Sequence, residues 1–89
     1  MAHYHVRVEH TPDECLRTLD DIVGFNPELL DRFWFTCSEE DHEGTAILEA
    51  PSRVGALDQL PPSLRSEAGI MPVRQHTMHS IKALHRMVA

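Results

Sequence analysis

The sequence predicts a single α+β domain whose elements follow the order strand, helix, strand, strand, helix, strand, with one more helix at the end. Three observations predict this class. The 89 residues leave room for one hydrophobic core only. Polar and apolar residues alternate in the first segment, as in a half-buried strand, and helix-start signals separate the later segments of strand character.

The first strand is predicted over residues 3–9. One face carries Tyr4, Val6 and Val8, and the other carries His3, His5, Arg7 and Glu9. Because the two sets differ so clearly in polarity, we expect the first face to be buried and the second to be open.

A helix is predicted to follow at once. Thr11 can cap it, Pro12 suits its first position, and Glu14 completes a capping box three residues after the cap. Gly24 is predicted to end this helix, and Asn26 to cap a second, short one.

Residues 33–37 and 45–50 are predicted to form a hairpin around a polar turn over residues 39–44. Phe35 and Cys37 would share one face, and Trp34 and Thr36 the other.

The second half repeats the pattern with a short helix, a strand and the closing helix. Ser52 can cap the short helix, whose apolar residues are Val54, Leu57 and Leu60, and the pair of prolines at 61 and 62 ends it. The last strand is predicted over residues 70–76. Thr77 then begins a closing helix with Ile81, Leu84 and Val88 on one face.

Two strand-helix-strand units joined by a hairpin have one compact solution under right-handed crossovers. It is the ferredoxin-like βαββαβ sandwich, a four-stranded antiparallel sheet in the order 4-1-3-2 with the helices on one face. The side chains predicted to face the helices are Tyr4, Val6, Val8, Phe35, Cys37, Ala46, Leu48, Met71 and Val73. Those predicted on the uncovered face are His3, His5, Arg7, Trp34, Thr36, Thr45, Ile47, Glu49, Arg74 and His76.

The segments HTPDECLRTLDD, DHEGTAILEA, LPPSLR and SIKALH carry a resemblance to a group of short bacterial proteins without an assigned activity. The layout more distantly resembles the dimeric α+β barrel proteins, in which two such sheets pack open face to open face. That superfamily includes muconolactone isomerases, small monooxygenases and stress proteins. No catalytic motif of those enzymes matches residue by residue, so the resemblance implies a fold and a mode of dimerisation and no reaction.

The charge balance narrows the range of partners. Fourteen acidic residues against eight basic ones give a formal charge of -6, which disfavours nucleic acid and anionic membranes as partners. Without a signal-peptide pattern or a long apolar run, a cytoplasmic location is expected. Cys15 and Cys37 are accordingly expected to be reduced and buried. A core this small is usually reinforced by association, so a homodimer or higher homo-oligomer is expected.

Seven histidines offer ligands for a divalent transition metal. His3 and His5 leave one face of the first strand, and His76 ends the neighbouring last strand. The hairpin turn with Asp41 and His42 is predicted to lie at the same end of the sheet. These histidines therefore form the predicted metal site, whereas His10 is expected at the opposite end.

Four residues of the uncovered face form a second candidate site. Arg7 and Glu49 are predicted to pair across neighbouring strands, with Arg74 on the other side of Arg7, and Trp34 nearby. This set either supports a subunit interface or holds a carboxylate ligand.

The sequence contains no phosphate-binding glycine loop, no Ser-His-Asp series and no Cys-x-x-Cys pair. Two hypotheses remain open. One is a non-enzymatic homo-oligomer that binds a small ligand on the open face, and the other is a metal-binding protein or small enzyme that uses the histidines.

Overall fold

The computed structural model describes residues 1–37 and 42–88, with only the backbone described at Cys37. The strands are β1 (Ala2–Glu9), β2 (Phe33–Cys37), β3 (His42–Ala50) and β4 (Ala68–Val73). The helices are α1 (Cys15–Phe25), α2 (Pro27–Leu30), α3 (Arg53–Asp58), α4 (Pro62–Arg65) and α5 (Met78–Val88), and a 3₁₀ turn (Pro12–Glu14) precedes α1. The predicted ligand Asp41 and the predicted core-facing side chain of Cys37 lie outside the described part.

The four strands form one antiparallel sheet in the order β2-β3-β1-β4. This is the predicted order 4-1-3-2 seen from the other edge, and it is confirmed. In the register of the central pair, His3 lies opposite Glu49, and Glu9 lies opposite Glu43. The beginning of β3 therefore lies at the end of β1, which decides where the histidines meet.

One face of the sheet packs against α1 to α4 in a single hydrophobic core. The buried apolar residues are Val6, Val8, Ile22, Leu29, Phe33, Ala46, Leu48, Ala50, Ala56, Leu60, Leu64 and Ile70. The strand members of this set are alternate residues, so the predicted faces of β1 and β3 are confirmed.

The predicted faces of β4 are wrong by one residue. Ile70 is buried opposite Val6, whereas Met71 lies opposite His5 and is 64% exposed. Val73 likewise lies opposite His3 on the open face. The strand begins two residues earlier than predicted and ends at Val73, so His76 lies beyond it. The cause is a run of apolar residues at both parities, which carries no alternation to read.

The first helical layer breaks at Asn26. Gly24 does not end α1, which continues to Phe25. Asn26 instead adopts an extended conformation, as expected for a residue before proline, and its side chain accepts a hydrogen bond from the amide of Glu28 at 3.2 Å. At the other end of α1, the Thr11 hydroxyl donates to the Glu14 carboxylate at 2.7 Å.

The second helical layer is anchored by a cap and a small residue. Ser52 caps α3 as predicted by accepting from the Gly55 amide at 3.1 Å. Ala56 is the fully buried residue of α3, whereas Val54 is 65% exposed. The predicted apolar stripe through Val54 is therefore wrong, because α3 is short and lies close enough to the sheet to favour alanine at the contact.

The closing helix α5 contributes nothing to the core. Thr77 and Ser80 cap its first turn through reciprocal hydrogen bonds: the Thr77 amide donates to the Ser80 hydroxyl at 2.8 Å, and the Ser80 amide donates to the Thr77 hydroxyl at 3.0 Å. None of its residues is buried. The molecule is accordingly extended, with a radius of gyration of 15.9 Å against about 12 Å for a compact chain of this length. Over the described residues, no helix is both long and apolar enough to traverse a bilayer.

Candidate functional site

The face of the sheet opposite the helices is uncovered by any described part of the chain and carries exposed apolar side chains. Trp34 is 81% exposed, Ile47 47% and Met71 64%. The cross-strand row Ile47, His5, Met71 runs from β3 through β1 to β4. The open face is therefore mixed, with an apolar band between polar ends.

A groove lies at one end of this face. Its lining residues are His3, Ile47, Val73, Arg74 and Gln75, and it encloses about 450 Å³. Nε2 of the lining residue His3 lies 3.0 Å from a carboxylate oxygen of Glu49, its register partner. The groove combines two apolar side chains with an imidazole, a guanidinium and an amide, which is the composition of a site for a small polar ligand.

The predicted pairing of Arg7 with Glu49 is wrong. Arg7 lies opposite Thr45, and its guanidinium contacts Glu9 and Glu43 at 2.6 Å each. Since β1 and β3 are antiparallel, Glu49 lies at the far end of β3, beside His3. Arg7 is thus held at the opposite end of the face from the groove.

The other members of this candidate set are also separated. Arg74 lies past the end of β4 and lines the groove, rather than flanking Arg7, whose partner in β4 is Gly69. Trp34 lies opposite Thr45 and lines a second depression with His5 and Ile47. The structure therefore brings His3, Glu49 and Arg74 to one end and leaves Arg7 at the other.

The predicted metal set does not assemble. His42 begins β3 and lies at the end of β1 that carries Glu9 and His10, far from His3 and His5. His76 follows β4 and lines a depression against α5. The topology explains the correction: β1 and β2 run in the same direction, so the hairpin after β2 begins β3 where β1 ends.

His42 instead meets two residues that were not predicted to bind together. The His10 amide donates to the His42 carbonyl at 3.0 Å, one step past the last pair of β1 and β3. The rings stand edge to face, with 5.6 Å between centroids. The 3₁₀ turn then returns the chain so that Cys15, the first residue of α1, joins them. One ligand atom from each of His10, Cys15 and His42 lies within 4.8 Å of the other two.

This cluster is half-buried, and three of its four ring nitrogens are shielded from solvent. Both nitrogens of His10 and Nδ1 of His42 are buried without a hydrogen-bond partner among the described residues. Burial, and secondarily the nearby His42, lower the pKa of His10, while Glu14 acts in the opposite direction. The His10 ring therefore favours the neutral form, which has a lone pair to offer.

A network of charges borders the cluster. Glu14 precedes Cys15, and its carboxylate accepts from Thr11 and from Arg17, the latter at 2.8 Å. Hydrogen bonds from the Thr11 side chain and backbone lower the pKa of Glu14, as the Arg17 charge does to a smaller degree. The Glu14 carboxylate is therefore close to the cluster, but it already accepts hydrogen bonds from Thr11 and Arg17.

A topological argument could have found this cluster from the sequence. Following the strand directions places the start of β3 beside residue 10, and the capping signal places Cys15 at the start of the next helix. His10 and Cys15 carry no short motif, since their neighbour His42 is distant in sequence. Periodicity alone therefore could not connect them.

A search for similar proteins adds no assignment to these two sites: no protein-family model, no curated protein and no solved structure matches this chain.

Proposed function

We propose that this chain is a ferredoxin-like domain that acts as a homodimer, with two open sheet faces packed together around small-ligand grooves. The observation that carries the proposal is the exposed apolar band of Trp34, Ile47 and Met71. The strand order, the antiparallel register and the single helical layer support the ferredoxin-like assignment. We include in this proposal the resemblance to the dimeric α+β barrel proteins, in which two open sheet faces pack together.

Helix α5 supports association of the same kind. Its large apolar residues Met78, Ile81, Leu84, Met87 and Val88 are all at least 40% exposed. A second copy of the chain would remove such surface from water, at about 25 cal/mol for each Å² buried. The dimer would thereby supply burial that an 89-residue core lacks.

Charge on the open face does not oppose self-association. Glu43 and Glu9 contact Arg7, and Glu49 contacts His3, within one chain. Each of these carboxylates therefore has a donor group beside it within its own chain and needs none from a second copy, while the formal charge of -6, which already counts Arg7, is unchanged by the pairs. Self-packing is therefore compatible with the acidic composition.

The single tryptophan makes the dimer measurable. Sedimentation equilibrium of the full chain is expected to give a dimer, and the emission of Trp34 is expected to shift to the red on dilution as the ring returns to water. Ile47→Glu, in the middle of the open face, should give a folded monomer. The matched variant Val54→Glu, at an exposed position of α3, should remain a dimer. A monomeric wild type at high micromolar concentration would contradict the proposal.

Within the dimer, the groove beside Arg74 is proposed to bind a small carboxylate. Arg74 supplies a planar donor fork, His3 a second polar contact, and Ile47 and Val73 the apolar wall. Benzoate serves as the probe and benzamide as its neutral control, with binding followed by NMR shifts. Benzoate should shift groove resonances in the wild type and lose affinity in Arg74→Gln. Equal shifts with both compounds, or no change in Arg74→Gln, would remove the carboxylate assignment.

A further inference from the structure

We propose that His10, Cys15 and His42 form a zinc site through two imidazole nitrogens and one thiolate sulfur. This site lies at the end of the sheet opposite the groove and does not depend on the proposed dimer. The first argument is chemical, because imidazole and thiolate are the ligands that Zn²⁺ selects in proteins. Three side chains of those types come to one place from the segment after β1, from the start of α1 and from the start of β3.

The second argument is distance. In a tetrahedral zinc site, ligand nitrogen and sulfur atoms lie about 3.3 to 3.6 Å from one another. The three ligand atoms here all lie within 4.8 Å of each other. Side-chain movements of about 1 Å are sufficient to close the remaining gap, because the backbone hydrogen bond holds His10 and His42 side by side and their ring centroids already lie 5.6 Å apart.

The third argument is the state of the ring nitrogens. A buried imidazole nitrogen without a partner has lost its hydrogen bonds to water and gained none in exchange, which is unfavourable. Both ring nitrogens of His10 and Nδ1 of His42 are in this condition among the described residues. A bound cation would accept a lone pair from one nitrogen of each ring. Packing of the two rings against each other leaves these nitrogens without a partner.

The three protein ligands leave one position of a tetrahedral zinc ion for a further ligand. Three protein ligands are the number found in zinc sites that keep a position for water or substrate. The backbone register places Cys37 of β2 opposite His42. Replacement of Cys37 therefore distinguishes a site of three protein ligands from one of four.

The test uses Co²⁺ as a spectroscopic substitute for Zn²⁺ on the untagged full chain after dialysis against chelator. One Co²⁺ per chain is expected, with a thiolate-to-metal charge-transfer band and the strong visible bands of four-coordinate Co²⁺. Zn²⁺ should displace it. Cys15→Ser should lose the charge-transfer band, and His10→Gln and His42→Gln should each weaken binding at least tenfold.

His79→Gln is the matched control, because His79 is an exposed histidine of α5 remote from the cluster. It should bind Co²⁺ as the wild type does. A wild type without the charge-transfer band, or an undiminished band in Cys15→Ser, overturns the proposal. An undiminished band in Cys37→Ser supports the set of three protein ligands, whereas a weaker band there identifies Cys37 as a fourth ligand to the same site.

A second measurement covers the case in which a variant does not fold. In Cys37→Ser, Cys15 is the one thiol of the chain. Stoichiometric Zn²⁺ should slow its reaction with Ellman's reagent, and addition of chelator should restore the rate. An unchanged rate contradicts the proposal. The same titrations in Ile47→Glu separate this outcome from that of the dimer proposal, since metal binding should persist in the monomer.

Discussion

Gly44 lies directly opposite Phe35 in the register of β2 and β3, and a Cβ atom placed on it would stand 2.6 Å from Cε1 of the Phe35 ring. Such a separation is too short for two carbon atoms. The ring is itself stacked on Phe33, with 5.7 Å between centroids, so it has little freedom to move away. The glycine is required here by the close approach of an aromatic ring.

Gly44→Ala is therefore expected to destabilise the fold by about 1 to 3 kcal/mol, the usual cost of overpacking a core. The measurement is urea unfolding followed by circular dichroism. Gly24→Ala in α1 is the matched control, because a Cβ there would meet nothing within 4 Å. Since alanine favours a helix over glycine, this control should stabilise by about 0.5 to 1 kcal/mol. Equal effects of both changes would contradict the packing argument.

Leu48 tests the assignment of faces. It is 2% exposed in the middle of the core. Leu48→Ala is expected to cost about 2 to 5 kcal/mol, because it removes buried methyl groups and leaves a cavity. That is a large part of the stability of a small domain, about 5 to 15 kcal/mol.

Val54→Ala is the comparison, since Val54 is 65% exposed on α3. Its unfolding free energy should change by no more than about 0.5 kcal/mol. Thermal or urea unfolding of both variants at the same protein concentration measures the difference. A large loss in Val54→Ala would restore the apolar stripe that the sequence predicted.

The lowered pKa of His10 predicts a pH dependence of the metal-free protein. An unfolded histidine titrates near its ordinary pKa of 6.5, whereas burial and His42 place the pKa of folded His10 below that value. Between the two values the unfolded chain binds more protons. Stability is therefore fully present above pH 6.5 and is lost as the pH falls from 6.5 to the folded pKa.

The measurement is urea unfolding with chelator present over a pH series through this range. His10→Gln should show a shallower loss of stability on acidification than the wild type, because the titrating group is gone. His79→Gln should follow the wild type. If His10→Gln and the wild type lose stability in parallel, His10 is not the responsible group.

The sequence predicted the sheet order and the faces of its central strands for a clear physical reason. Val6 and Val8 alternate with charged residues, and only one register buries the valines. The faces of β4 could not be predicted in this way, because Ile70, Met71 and Val73 are apolar at both parities. In β4, packing against the core decides that Ile70 is the buried residue, and the order of apolar residues in the sequence does not show it.

The candidate sites depended on strand direction more than on residue type. The relation of His42 to His10 follows from the antiparallel pairing of β1 and β3. Placing His42 beside His3 instead produced a metal set that the fold separates. Arg7 contacts Glu9 on its own strand and Glu43 on the neighbouring strand. The alternation of faces alone does not show which of the nearby carboxylates Arg7 will contact.

Helix α5 has a consequence for how this chain can vary. Because none of its residues is buried, substitutions along it leave the core's packing untouched. The same holds for the outward-facing row through Ile47 and Met71. Mutations that alter what the molecule recognises can therefore accumulate without a matching loss of packing inside the single chain, so the recognition surfaces and the core of one subunit can evolve separately.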